Sequence, residues 1–288
     1  MVCSGMITRR KWLAGTLAAA LVPRAEDRAR EPFRLGLTPV FLDNDVRLLD
    51  LLREYLEPRL QRPVQLIKRR SYQEITVLLL AGRLDAAWIC GYPYVQYRRR
   101  LALVAAPLWR GAPLYRSYII VPRGSRARAL DDLRGTIHAF SDPDSNSGYL
   151  VTAALLVERG ESPGSFFRHV FFTYGHRNVV RAVARRLADS GSVDGYVFEV
   201  MRAREPELTD ACRILRRSRE YGFPPVACRR GDAHKPSIRA LRSALIDMPS
   251  SPPGRTILEI LALDGFAFVS PDVYASIEVN ASLLARAT

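Results

Sequence analysis

Ser145, Asn146, Ser147 and Gly148 stand in a row, three small polar side chains and then none. An apolar run at 136–140 precedes them and reads as a strand, and another at 150–156 follows and reads as a helix. Hydroxyl and amide side chains are favoured where helices start. The first turn leaves backbone N–H groups without partners and carries partial positive charge. Such an end can hold an anion, although an ordinary capped helix uses the same residues. His176, just before a further helical stretch, can donate to an anion or act as a base. Asp194, just after Val193, can orient a neighbour, although an ordinary turn uses the same residue. Ser145 or Ser147 with His176 and Asp194 is formally a nucleophilic triad, but the sequence has no G-x-S-x-G elbow. The four histidines form no i, i+3 or i, i+4 pair and no C-x-x-C occurs, so neither a metal nor a cofactor is expected.

The elements that must position these residues alternate between strand and helix. A strand is expected at 33–38, followed by a loop at 39–42 that carries Phe41. Asp43-Asn44-Asp45 can cap a helix with Leu48, Leu52, Tyr55 and Leu56 on one face. The next strand is 64–67, and Ser71-Tyr72-Gln73-Glu74 is a capping box that opens a helix ended by Gly82. A short strand at 85–89 leads to Cys90, Gly91, Tyr92 and Tyr94, where a tyrosine can line a pocket while its hydroxyl meets a polar group. Further strands are expected at 115–121, 136–140 and 192–198, with a helix at 178–187 and helices again over 237–246, 255–263 and 273–284. This order implies parallel βαβ units with ligands at the carboxyl ends of the strands. Two such runs joined by crossing segments suggest an α/β chain of two lobes with a cleft.

The formal net charge is +14, almost all from Arg. The cations are scattered, with short clusters at 68–70, 98–100 and 216–217 that are not interleaved with stacking aromatics. A small anion in an electropositive cleft fits this pattern, and nucleic acid is not expected. Arg9-Arg10-Lys11 before a short apolar run reads as a secretory signal of twin-arginine type, with cleavage near Ala25. Its removal takes four cations and no acids, leaving +10. Cys212 and Cys228 would face each other if 212–215 and 224–228 formed a hairpin, and export would permit a disulfide there.

Asp142-Pro143-Asp144-Ser145-Asn146-Ser147-Gly148-Tyr149-Leu150 resembles the D-P-x-S-x-S-G-[FY]-L signature of the periplasmic phosphate, phosphite and phosphonate-binding proteins of ABC transporters. Leu84 to Trp88, Gly111 to Val121, and Gly175-His176 with Val193-Asp194 resemble three further segments of that family in the same order. The resemblance implies a two-lobed periplasmic-binding-protein fold, each lobe a mixed sheet flanked by helices with the ligand cleft between. Lobe one would hold about 33–118 and 219–288, and lobe two about 119–218. Ser145, Asn146, Ser147, His176 and Tyr115 would hold a small oxyanion, with Cys90, Tyr92, Tyr94, Phe41 and Asp194 around it. Phe223 stands where aminophosphonate binders place a carboxylate, which disfavours an ammonium on the ligand. Cys90 resembles the position of a cysteine in relatives that bind arsenite for a sensor kinase, so two partners follow: an ABC permease, or a membrane histidine kinase. The protein is expected to be a periplasmic monomer and not an enzyme.

Overall fold

The computed structural model describes residues 1–2, 31–38 and 46–287. The expected leader from residue 3 onward and Phe41 lie outside the described residues. Apolar strands collect into two mixed sheets. The first has the order β11-β4-β10-β3-β1-β2. Its strands are β1 (Phe33–Leu37), β2 (Val64–Lys68), β3 (Ala86–Trp88), β4 (Leu101–Leu108), β10 (Val226–Arg229) and β11 (Gly265–Ala267). The second has the order β7-β6-β8-β5-β9. It contains β5 (Leu114–Pro122), β6 (Ile137–Phe140), β7 (His169–Phe172), β8 (Ser190–Asp194) and β9 (Cys212–Gly222). In both sheets a parallel core meets antiparallel strands that return from the other side: β10 runs against β3, and β5 runs against β8. β1 and β3 are buried almost throughout, as central strands with helices on both faces should be.

The helices follow the apolar periodicity. α1 (Val46–Leu60) buries Leu48, Leu52, Tyr55 and Leu56 on the face read from the sequence. α2 (Tyr72–Leu80) opens on the Ser71/Glu74 capping box, with both reciprocal bonds formed. Two expectations are corrected, at Asp194 and at the cysteine pair, and the chain after β3 turns at once into a helix. α3 (Gly91–Gln96) follows Cys90 directly. α7 (Gly195–Arg204) occupies residues expected to extend the strand beyond Asp194; the apolar run Tyr196-Val197-Phe198 is buried as part of a helix. Periodicity over so short a run does not separate the two. Cys212 and Cys228 do not share a hairpin, because β9 pairs with β5 and β10 with β3 and β4. Cys90, Cys212 and Cys228 are all buried free thiols.

His138 on β6 shows what the second core tolerates. It is fully buried, stacked on Phe167 at 4.4 Å, with Nδ1 at 2.7 Å from the Ser190 hydroxyl and Nε2 at 2.9 Å from the Ser192 hydroxyl. Burial pushes its pKa down to about 3, so it is neutral in the fold and protonates more readily when unfolded. Its contribution is therefore present above the unfolded histidine range and lost as pH falls below about 6.5. The stability advantage of wild type over His138→Asn should shrink by about 2 kcal/mol between pH 7 and pH 5. Denaturant titrations at the two pH values check this.

Candidate functional site

Three parallel strands and one antiparallel strand bring their ends to one place. β3 delivers Cys90, β6 delivers 141–147, and β8 delivers Asp194. β5 is in register with Ser117 opposite Asp194, so its first residues, including Tyr115, lie beside the end of β8. The segment after β6 winds as one wide turn, Asn146–Leu150, before α4 (Val151–Val157). Leu150 N–H donates to Ser145 O at 3.0 Å and Val151 N–H to Asn146 O, a spacing of five residues instead of four. Such turns are rare and occur often at functional sites. The Ser145 hydroxyl caps the turn by accepting from Gly148 N–H at 2.9 Å. Ser117 fixes it from the sheet, its hydroxyl donating to Ser147 O at 2.6 Å.

α6 (His176–Ala184) buries His176, Val179, Val180 and Val183, which places the imidazole against the end of β8. The backbone N–H of Asp194 donates to His176 Nδ1 at 3.1 Å. The proton is thereby assigned to Nε2, 3.2 Å from the Tyr72 hydroxyl. Burial pushes the imidazole pKa down to about 3, so His176 is a neutral donor. A hydrolytic triad is not assembled: Nδ1 is held by a backbone amide, not by the Asp194 carboxylate. That carboxylate caps α7 through Oδ1, which accepts from Tyr196 and Val197 N–H at 2.8 and 3.2 Å. Its Oδ2 lies 3.5 Å from the Ser147 hydroxyl. Burial pushes the Asp194 pKa up to about 7.

The first sheet supplies the opposite wall. Cys90 Sγ accepts the Asn146 N–H at 3.2 Å. Burial pushes this thiol up to about 12, against the lowering effect of the Asn146 and Tyr92 N–H groups, so it is neutral. The Tyr115 hydroxyl accepts from Asn146 Nδ2 at 3.0 Å, and its ring packs on Phe223 at 5.6 Å. Phe223 is fully buried and backs onto Tyr196. The structure thus gathers Ser145, Asn146, Ser147, His176, Tyr115, Asp194 and Cys90. Tyr92, half-buried, keeps company with Asp144 and Tyr149 at the rim. Tyr94 turns away and packs on Tyr274 at 4.9 Å.

Two members were missed in the sequence. Asp142, 1% exposed, accepts the Tyr72 N–H across the cleft at 3.1 Å and the Asp144 N–H at 2.8 Å. Tyr72, fully buried, makes that bond and the contact to His176. The signal was present: the Ser71/Glu74 box satisfies the N–H groups of Ser71 and Glu74 and leaves the Tyr72 N–H needing an acceptor. Outside this pair lies a groove of about 940 Å³, walled by Lys68, Arg69 and Arg70 on one side and Thr173, Tyr174 and Asn178 on the other. Ser71 and Glu74 of the capping box also line it.

Residues 35–274 match a family described as ABC transporter, phosphonate, periplasmic substrate-binding protein. The chain belongs to that family. Over 185 residues it is 27% identical to the phosphate-import protein PhnD of Mycolicibacterium smegmatis. The match covers 59% of this chain and 56% of that relative's length. A binding protein component of an ABC phosphonate transporter from Pseudomonas aeruginosa superposes with TM-score 0.81 at 18% identity, covering 90% of this chain and 88% of the other. PhnD1 from Prochlorococcus marinus, in complex with methylphosphonate, gives 0.78 at 18% identity and coverage of 88% and 98%. The periplasmic aliphatic sulphonate binding protein of Escherichia coli gives 0.59 at 15% identity and coverage of 89% and 92%. These likenesses establish a two-lobed periplasmic-binding-protein fold with a mixed, helix-flanked sheet in each lobe and the cleft between. Among the described residues no helix is long and apolar enough to cross a membrane.

Proposed function

We propose that the protein captures a small phosphorus oxyanion (phosphate, phosphite or a simple phosphonate) in the periplasm and delivers it to an ABC importer as a monomer. The observation that carries this is a buried cluster of neutral donors supplied by both sheets: the hydroxyls of Ser145, Ser147, Tyr115 and Tyr72 and the Nε2–H of neutral His176. Uncharged donors around a desolvated oxyanion give strong charge-assisted bonds. The family and the phosphate and methylphosphonate ligands in the names of its relatives support the same class. A lobe motion would turn about the two crossings between the sheets, Leu108 to Leu114 and Gly222 to Val226, so the expected boundaries near 118 and 219 fall inside β5 and β9. The sensor-kinase alternative has no observation in its favour.

Calorimetry with phosphate, phosphite and methylphosphonate tests the reading. His176→Ala and Ser145→Ala should each weaken binding about tenfold or more, since a hydrogen bond to a charged group contributes roughly 1.5–3 kcal/mol. Wild-type affinity in both variants would remove the site from these residues.

A further inference from the structure

We propose that a basic pocket on the first lobe, at the end of its sheet away from the cleft, seats the headgroup of an anionic phospholipid and so holds the protein against the membrane. The strand directions fix its place. β3 runs towards Cys90 and the cleft. β10 is antiparallel to it, with Cys228 opposite Ala86, so Arg229 to Asp232 continue past the other end of the sheet. β4 pairs Leu101 with Arg229, which brings Arg100 to the same end. α2 starts at Tyr72 beside the cleft and ends at Leu80, about 13 Å farther along its axis. There Leu80, Arg100, Arg229, Arg230, Gly231 and Asp232 line a cavity of about 500 Å³.

The backbone sets the arginines in position. Arg100 donates through Nη2 to Leu80 O at 3.3 Å, at the carbonyl end of α2. Arg230 donates through Nε to Arg99 O at 3.1 Å and through Nη2 to Arg98 O at 2.6 Å. Arg229 lies against Gly82, where a Cβ would collide with its guanidinium, and reaches the Asp232 carboxylate at 2.7 Å. Lys235 shares that carboxylate, also at 2.7 Å. Four cations thus stand with one carboxylate, an excess of three charges. One cation would satisfy the carbonyl end of α2. Three guanidiniums converging on one cavity repel each other unless an anion joins them. Each guanidinium has five N–H donors, so the bonds made leave donors over at Arg100 and Arg230. Their planar forks match phosphate oxygens in pairs. Among the described lining residues Leu80 is the one large apolar side chain and none is aromatic. The centre of a protein–protein contact has the reverse composition, depleted in charge and rich in aromatics. A phospholipid headgroup needs only the charge and the donors, and an anionic surface also attracts the exposed cations around the pocket. The cleft lies at the other end of α2, so a seated protein keeps it clear of lipid.

Co-sedimentation of the full chain with vesicles tests this, using phosphatidylglycerol mixed equally with phosphatidylcholine, against phosphatidylcholine alone. Wild type should bind the anionic vesicles and be released as salt rises. Arg100→Gln combined with Arg230→Gln should weaken vesicle binding about 30-fold, the effect of two cations lost near the surface. Arg216→Gln combined with Arg217→Gln makes the same charge change at exposed positions of β9 and should weaken it less than about threefold. All three chains carry the same N-terminal segment, so any attraction of that segment for lipid cancels. Methylphosphonate affinity by calorimetry should stay at the wild-type value in both double variants, which keeps this test apart from the cleft. No binding to the anionic vesicles, or equal loss in the two double variants, would overturn the inference. So would polyglutamate binding that needs Arg100 and Arg230 when vesicle binding does not, since the pocket would then serve an acidic polypeptide. If the pocket double variant does not fold, Arg230→Gln alone decides, with about a fivefold loss expected.

Discussion

Gly148→Ala is expected to reduce oxyanion affinity by about 100-fold or more while the two sheets remain folded. A Cβ there would stand 1.8 Å from Ser141 Oγ, 2.7 Å from Ser141 Cβ and 3.0 Å from His176 Cε1. The first clash is relieved by rotating the serine, whose hydroxyl has no hydrogen-bond partner to hold it. The second is not, because a Cβ moves only with its backbone. Ser141 N–H donates to Gly148 O at 3.1 Å, so the two backbones are tied where they would have to separate. Overpacking of this kind costs roughly 1–3 kcal/mol and occasionally more. Here it displaces the turn that carries Ser147 and the ring that carries the histidine donor together. The check is calorimetry beside thermal melting. Ser141→Gly in the same chain should recover much of the affinity, since it removes the atoms that clash.

Asp142→Ala is expected to weaken binding about 30- to 100-fold, although Asp142 is not among the donors. Its carboxylate belongs to the second sheet and takes the Tyr72 N–H at the start of α2, which belongs to the first. That position favours negative charge. Its loss leaves a buried N–H unpaired, and the Asp144 turn loses its acceptor too. Bonds to a charged partner contribute roughly 1.5–3 kcal/mol each. In the proposed lobe motion the Tyr72 bond would form only when the lobes meet, so the loss would fall on the closed, liganded state. Small-angle scattering with saturating ligand should show the variant more open than wild type. Asp142→Asn, which keeps an acceptor without the charge, should lie between.

Much of this was legible from local chemistry. The Ser71/Glu74 box, the cap at Ser145 and the face of α1 follow from rules that act within a few residues. The strand phasing then placed Cys90 and Ser145 at strand ends, while Asp194 fell inside the strand expected at 192–198. What escaped depended on partners far along the chain. Tyr72 looks like a core aromatic until its helix start is set against Asp142, 70 residues away. β9 and β10 resemble a hairpin until β5 claims one and β3 the other. The run after Asp194 could have been read correctly. An aspartate followed by two N–H groups to cap is a helix start, and Tyr196 and Val197 supply them.

α11 (Ala275–Ala287) packs on α3 from the first sheet's side and on α4 and β9 from the second. Just before it, Tyr274 donates to Phe223 O at 2.9 Å, beside one of the two chain crossings. The lobes are therefore tied by the two chain crossings and a helical brace. Such a brace resists torsion of one lobe against the other, while a bending motion about the crossings leaves it largely in place. Each closure would then begin from nearly the same relative orientation. Tyr72 would meet His176 and Asp142 without a search over alignments, and less orientational entropy would have to be surrendered when the ligand is enclosed.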